Sequence, residues 1–176
     1  RGHAPPGGVV SEVVGLSEHR REDLWQTGPM NPRYHPDIAV VNDNGIVALV
    51  EVKARSRTSA AWAERIREGL VGHDLGARYF ILATRDHVYL WLRDDATRPP
   101  IVFKSEKLLG PFLQAAGVEG EKANEETLSL AVSEWLLGFT VSPPRGGNGF
   151  THEQASLMDL GKHVRDARII REPIPA

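Results

Sequence analysis

The sequence predicts an α/β domain in which helices pack on a mixed central sheet. Two observations carry that prediction. The periodic segments run helix, hairpin, helix, two strands, then helices, an order that makes a sheet with helices laid on it. The hairpin strands at Ile38–Val41 and Ile46–Val52 are dense in valine, isoleucine and leucine, which suits strands covered on both faces. A chain of 176 residues accommodates one domain with a full core. The apolar fraction of 41% and charged fraction of 25% are those of ordinary globular chains, so disordered and fibrous classes are set aside.

Composition also removes several chemistries. Cysteine is absent, which excludes disulfide frameworks, thiolate zinc sites and cysteine nucleophiles. No apolar run approaches the roughly 18 residues of a membrane span, and the residues after Arg1 lack a signal-peptide pattern. A soluble, cytoplasmic protein with no membrane association is the expectation. With a net charge of -2, any attraction to nucleic acid must come from a local basic patch.

In chain order, residues 1–8 (RGHAPPGG) combine prolines and glycines and read as a flexible arm. Residues 9–140 form the α/β domain, and 141–176 a loop and C-terminal extension packed on it. From Val9 to His19 the valines and Leu16 recur at helical spacing. Arg20–Thr27 either continues that helix or starts a strand, and the proline-bearing stretch to Pro36 is a loop. After the hairpin, Trp62, Ile66 and Leu70 mark a helix over Ser59–Val71, capped by Ser59 or Thr58. Arg78–Thr84 and His87–Leu92 are strands of the buried type, and Ile101–Phe103 a short extended piece. Helical spacing returns at Leu108–Ala116 and, most clearly, at Glu125–Leu137, with Gly138 as its stop. His152–Val164 reads as a short helix and Arg168–Ile170 as an extended segment.

The hairpin turn decides where its charges lie. Asn42-Asp43-Asn44-Gly45 suits a type I turn followed by a left-handed glycine, with Asp43, Asn44 and Gly45 as a three-residue loop. That register opposes Asn42 to Ile46 and Asp37 to Glu51. Opposed residues share a sheet face, and Lys53, two along from Glu51, shares it too. A two-residue Asn44-Gly45 loop puts Asp37 opposite Val52, on the other face. Two carboxylates this close repel when both are ionised. A divalent cation resolves the conflict, and oxygen ligands favour Mg²⁺ or Mn²⁺. A neighbouring lysine places an ammonium where charge develops during phosphodiester hydrolysis and assists deprotonation of the attacking water.

Pro36-Asp37, thirteen intervening residues, and Glu51-Val52-Lys53 resemble the PD-(D/E)xK motif of the restriction-endonuclease-like superfamily. In that superfamily a helix precedes the hairpin that carries the motif, a helix follows the lysine, and a further strand and helix complete the core. The matching span, Val9 to Leu92, is about half of this chain. The resemblance implies a restriction-endonuclease-like mixed central sheet flanked by helices, here with a C-terminal helical addition. It implies a Mg²⁺- or Mn²⁺-dependent endonuclease acting on DNA in restriction, repair or mobile-element processing. Asp37 and Glu51 then serve as metal ligands with the Val52 backbone carbonyl, and Lys53 as the catalytic lysine. An acid from the first helix often joins such a site, with Glu12 the first candidate here and Glu18 the second. The glutamine-x-x-x-tyrosine element of the RecB-like branch is missing. A homodimer is expected of a double-strand cutter.

Five cations against one acid between Lys53 and Arg67 make Arg55, Arg57, Arg65 and Arg67 candidates for phosphate contacts. A solvated helix face accounts for them about equally well. Trp62 is in phase with Ile66 and Leu70 and reads as core, and Tyr89 and Trp91 as packing. His35 adjoins the motif, whereas His73, His87, His152 and His163 lack metal-ligand spacing. Gly146, Gly147 and Gly149 lack the strand-to-helix context of a phosphate loop. The competing reading is a catalytically inactive module on the same fold that binds nucleic acid or protein.

Overall fold

A computed structural model of the protein describes residues 34–71, 77–93, 98–141 and 151–171. The arm, the helix expected from Val9, the candidates Glu12 and Glu18, His73 and the three glycines near 147 lie outside the described residues. Six strands, β1 (Ile38–Asn42), β2 (Gly45–Lys53), β3 (Tyr79–Thr84), β4 (His87–Leu92), β5 (Ile101–Lys104) and β6 (Arg168–Arg171), form one sheet. Its order is β5-β4-β3-β2-β1-β6. Only β2 and β3 pair in parallel, so the sheet is mixed. Among the described residues five α-helices accompany it: α1 (Ala60–Val71), α2 (Ser105–Leu108), α3 (Gly110–Ala115), α4 (Glu125–Val141) and α5 (His152–Val164). The α/β class with a mixed sheet flanked by helices therefore stands.

Period-two alternation divides the core between the two faces. Ala39, Leu49, Phe80, Leu82, Tyr89 and Trp91 meet α1 through Ala63 and Val71. Ile38, Val50, Val52, Ile81 and Leu90 face the opposite way, onto Leu113 of α3, Leu128, Val132 and Leu136 of α4, and Leu160 and Val164 of α5. Strands β2 and β3, central in the order, are buried along almost their whole length. That burial is why they read as continuous apolar runs.

Local chemistry explains the element ends. The Ser59 hydroxyl accepts the Trp62 N–H at 3.2 Å and caps α1. A capping box of Thr151 and Gln154 opens α5. The single helix expected over Leu108–Ala116 is two, because Gly110-Pro111 starts a new one after Leu109. Gly138 does not stop α4, which continues to Val141; its added Cβ would meet nothing within 4 Å, so no close approach requires a glycine there.

The hairpin reaches its expected register by an unexpected route. Asn42 pairs with Gly45, leaving a two-residue turn of Asp43 and Asn44, and the ladder then slips between Val40 and Val41. Val41 opposes Ile46 but Val40 opposes Ala48, so Val47 is an extra residue on β2, a β-bulge. Beyond it Ile38 faces Val50, the last pair of the ladder, and the same register continued by one step opposes Asp37, just outside β1, to Glu51. Gly45 has φ +116° with open space around its missing side chain, so Gly45→Ala costs backbone strain alone, about 1–2 kcal/mol. Urea denaturation should show a lower midpoint with an unchanged slope; an unaltered midpoint rules out this turn conformation.

Candidate active site

The end of β2 and the approach to β1 bring three charged residues to one place. Tyr34 and Pro36 are buried, His35 between them is exposed, and Asp37 is half-buried just before β1. The Val52 backbone N–H donates to Asp37 Oδ2 at 2.7 Å. Among the described residues the other oxygen of Asp37 accepts no hydrogen bond. Glu51 and Lys53 share the α1 face of β2, and Lys53 Nζ lies 2.6 Å from Glu51 Oε1. The Tyr34 hydroxyl donates to the second oxygen, Oε2, at 3.1 Å. Glu51 is only 5% exposed, in a strand otherwise apolar on that stretch.

Burial dominates the electrostatics. It lifts the Asp37 carboxyl above its usual range, opposed by the Val52 N–H and the Lys53 charge and reinforced by Glu125. Burial likewise raises Glu51, against the hydrogen bond from Lys53 and with the repulsion of Asp37. For Lys53, desolvation pushes the ammonium down, but the bond to Glu51 and the charges of Glu51, Asp37 and Glu125 outweigh it and leave the group raised. Lys53 is thus a full cation at neutral pH. Burial and then the Glu51 charge drive Tyr34 far up, so it acts as a neutral donor.

Two of these participants carry no signal in the motif. Tyr34 fixes Glu51 from a loop position two residues before Pro36, where nothing in the spacing marks it. Glu125, in the first turn of α4, accepts the Ala54 N–H at 3.4 Å across 71 positions of sequence. The same helix reads in the sequence as a packing element only. Its acidic first turn is the one available hint, and an acid there is common for helix-dipole reasons alone.

The basic residues separate. Arg55, Arg57 and Arg65 are exposed, and the Arg55 guanidinium sits 5.1 Å over the half-buried Trp62 ring. Arg67 corrects the expectation: it is 2% exposed, ion-paired with Glu64, and 5.9 Å over the Trp91 ring. It is a buried structural cation with no phosphate-facing surface. The most deeply buried residues of α1 are Ala63, Arg67 and Val71, with Trp62, Ile66 and Leu70 packed half-buried beside them. The helix is therefore rotated by about one position, roughly 100°, from the stripe its apolar residues suggest.

Tyr89 and Trp91 are packed as expected, their polar atoms donating to Thr58 and Glu64 at 2.9 and 2.8 Å. His163 contacts the Tyr79 hydroxyl at 3.2 Å, and His87 Nδ1 lies 3.4 Å from Asp86. Neither belongs to a metal cluster. Among the described residues no three acidic or histidine side chains gather closely enough to enclose an ion. The donor set of Asp37 and Glu51 fits a hard cation that retains most of its water, since such ions are held by one or two carboxylates. A buried and a half-buried carboxyl, both with raised proton affinity, are what a divalent charge would relieve.

Comparisons with protein-family models, with curated proteins and with solved structures return no match. Among the described residues no helix is long and apolar enough to cross a membrane.

Proposed function

We propose that this chain is a metal-dependent nuclease that hydrolyses phosphodiester bonds, with DNA as its substrate. The observation that carries the reading is the register after the Val47 bulge. It sets Asp37 beside Glu51 in a buried strand end, with Lys53 bonded to Glu51. Charged residues are rare in such surroundings unless they are paired or functional. The resemblance to the PD-(D/E)xK pattern points the same way.

Asp37 and Glu51, with the Val52 carbonyl, would hold a Mg²⁺ or Mn²⁺ ion, which supplies Lewis-acid charge to the phosphate and makes a water easier to ionise. Asp37 presents an oxygen without a hydrogen bond among the described residues. The Lys53 ammonium stabilises charge on the phosphate as the water oxygen bonds to phosphorus and the ester P–O bond breaks. The attacking water gives up one proton to bulk solvent, and the departing oxygen takes one from solvent to leave as an alcohol. The ion pair of Lys53 with Glu51 gives the lysine an electrostatic role in this reading.

Plasmid cleavage in Mg²⁺ and in Mn²⁺ tests this reading. The wild type should cut only with metal, and Lys53→Ala should cut about 10²–10³-fold more slowly, the usual loss of one such charge. Cleavage that survives this change, or none in the wild type, refutes the mechanism. The inactive-module reading draws on one observation: both Glu51 oxygens already have partners inside the protein. Titration calorimetry separates the two, because a nuclease site binds Mn²⁺ through Asp37 and a pure binding module shows no heat lost in Asp37→Asn.

A further inference from the structure

Three of the four carboxylate oxygens of Asp37 and Glu51 already meet a donor, and the donors differ in their freedom to leave. The Val52 N–H on Asp37 Oδ2 belongs to the backbone of a buried strand. The Tyr34 hydroxyl on Glu51 Oε2 is carried by a ring that is 7% exposed and packed in the core cluster on the α1 face, with Leu49, Phe80 and Leu82. A group in a close-packed core keeps its place. Lys53, on Glu51 Oε1, has a side chain that is 37% exposed, and an ammonium on a flexible four-carbon stem can move off its partner. Each carboxylate therefore has one oxygen pinned by an immobile donor. The other oxygen, Asp37 Oδ1 or Glu51 Oε1, is the one it can offer.

An oxygen that accepts a fixed hydrogen bond has one of its lone-pair directions taken. Hard cations differ in how much this matters to them. Ca²⁺ gathers about 6–8 oxygens and takes carboxylates through one oxygen or both, whereas Mg²⁺ demands a near-ideal octahedron, keeps several waters and is satisfied by one or two carboxylates.

We propose that Tyr34 sets the metal preference of this site: by holding Oε2 it keeps Glu51 to coordination through one oxygen, which favours a small octahedral ion, Mg²⁺ or Mn²⁺, over Ca²⁺. Tyr34 is thus a positioning residue that acts through Glu51. Lys53 is the partner that gives up its oxygen, and so becomes available to a phosphate, while the phenol stays. The inference rests on the nuclease reading, which supplies the ion at Asp37 and Glu51.

Calorimetric titration of the full chain with Mn²⁺ and with Ca²⁺, without DNA, tests it. Tyr34→Phe removes the hydroxyl and keeps the ring, and should lower the ratio of Mn²⁺ to Ca²⁺ affinity by about 10-fold, the lower end of the change that follows loss of a ligand's hydrogen-bond partner. A general loosening of the fold weakens both ions alike and leaves that ratio where it was. An unchanged or higher ratio overturns the proposal. The wild type gives a second readout that does not depend on the variant folding. In infrared difference spectra at saturating Ca²⁺ its carboxylate stretching bands should be widely split, as for coordination through one oxygen, and a closely split pair, the mark of both oxygens on one ion, overturns the proposal too. A wild type that binds neither ion refutes the nuclease reading and this inference with it. One that binds Mn²⁺ but keeps its ratio in Tyr34→Phe refutes the inference alone.

Discussion

Glu51→Gln should lose cleavage by at least about 10²-fold and yet melt at a higher temperature than the wild type at neutral pH. Asp37 and Glu51 both hold protons more tightly in the fold than in the unfolded chain, because burial penalises their ionised forms. Their contribution to stability is complete in acid, below the usual carboxylate range, and is lost as pH rises through their raised values. At neutral pH the ionised Glu51 works against the fold, and glutamine removes that cost. Lys53 keeps its charge throughout this window, so the change belongs to the acids. Each kcal/mol relieved raises the melting temperature by about 2–4 °C for a chain of this size. The difference between variant and wild type should shrink toward pH 4. A variant that melts lower at pH 7 shows that the Lys53 pair outweighs the burial of Glu51 and refutes the argument. Wild-type protein should also gain stability with added Mn²⁺, and Glu51→Gln should not, since only ligands that bind the folded state shift the equilibrium.

Arg67→Ala carries the largest expected loss of stability. The guanidinium is 2% exposed, pairs with Glu64 and lies over Trp91, while Glu64 also accepts the Trp91 indole N–H. Removing Arg67 strips the partly exposed Glu64 of its cation and opens space beside Trp91, a loss at the lower end of the about 3–5 kcal/mol typical of a broken buried pair. A fall in melting temperature of roughly 10 °C follows. Below its own melting point the variant should bind DNA as the wild type does. Weaker DNA binding in a fully folded Arg67→Ala protein is the result that restores Arg67 to a nucleic-acid surface.

Much of the fold is legible in the residues, for reasons that also mark the limits. The strands announce themselves because a doubly covered strand must be apolar at every position, and Asn42 to Gly45 carries the turn chemistry in its own letters. The Val47 bulge is hidden, since an extra residue is defined by its partner strand and not by its own side chain. The predicted register survived because a turn shorter by one residue and a bulge longer by one compensate. Arg67 illustrates the opposite failure. A count of cations treats every arginine alike, and only the rotation of α1 decides which one faces Trp91. Asp37, Glu51 and Lys53 are visible because one hairpin holds all three, whereas Glu125 reaches their neighbourhood through tertiary packing that local sequence cannot encode.

The pairing of β1 with β6 bears on the timing of assembly. Val40 meets Ile169 across 129 positions of chain, so the strand that follows Asp37 is synthesised long before the strand that flanks it. At about 5–20 residues per second, that interval is roughly 6–26 s. Until β6 emerges and docks, the outer edge of β1 lacks this partner, and the loop that aims Asp37 at Val52 is steadied from one side only. A nascent chain therefore holds Asp37, Glu51 and Lys53 early, while the strand that completes the sheet beside β1 arrives late.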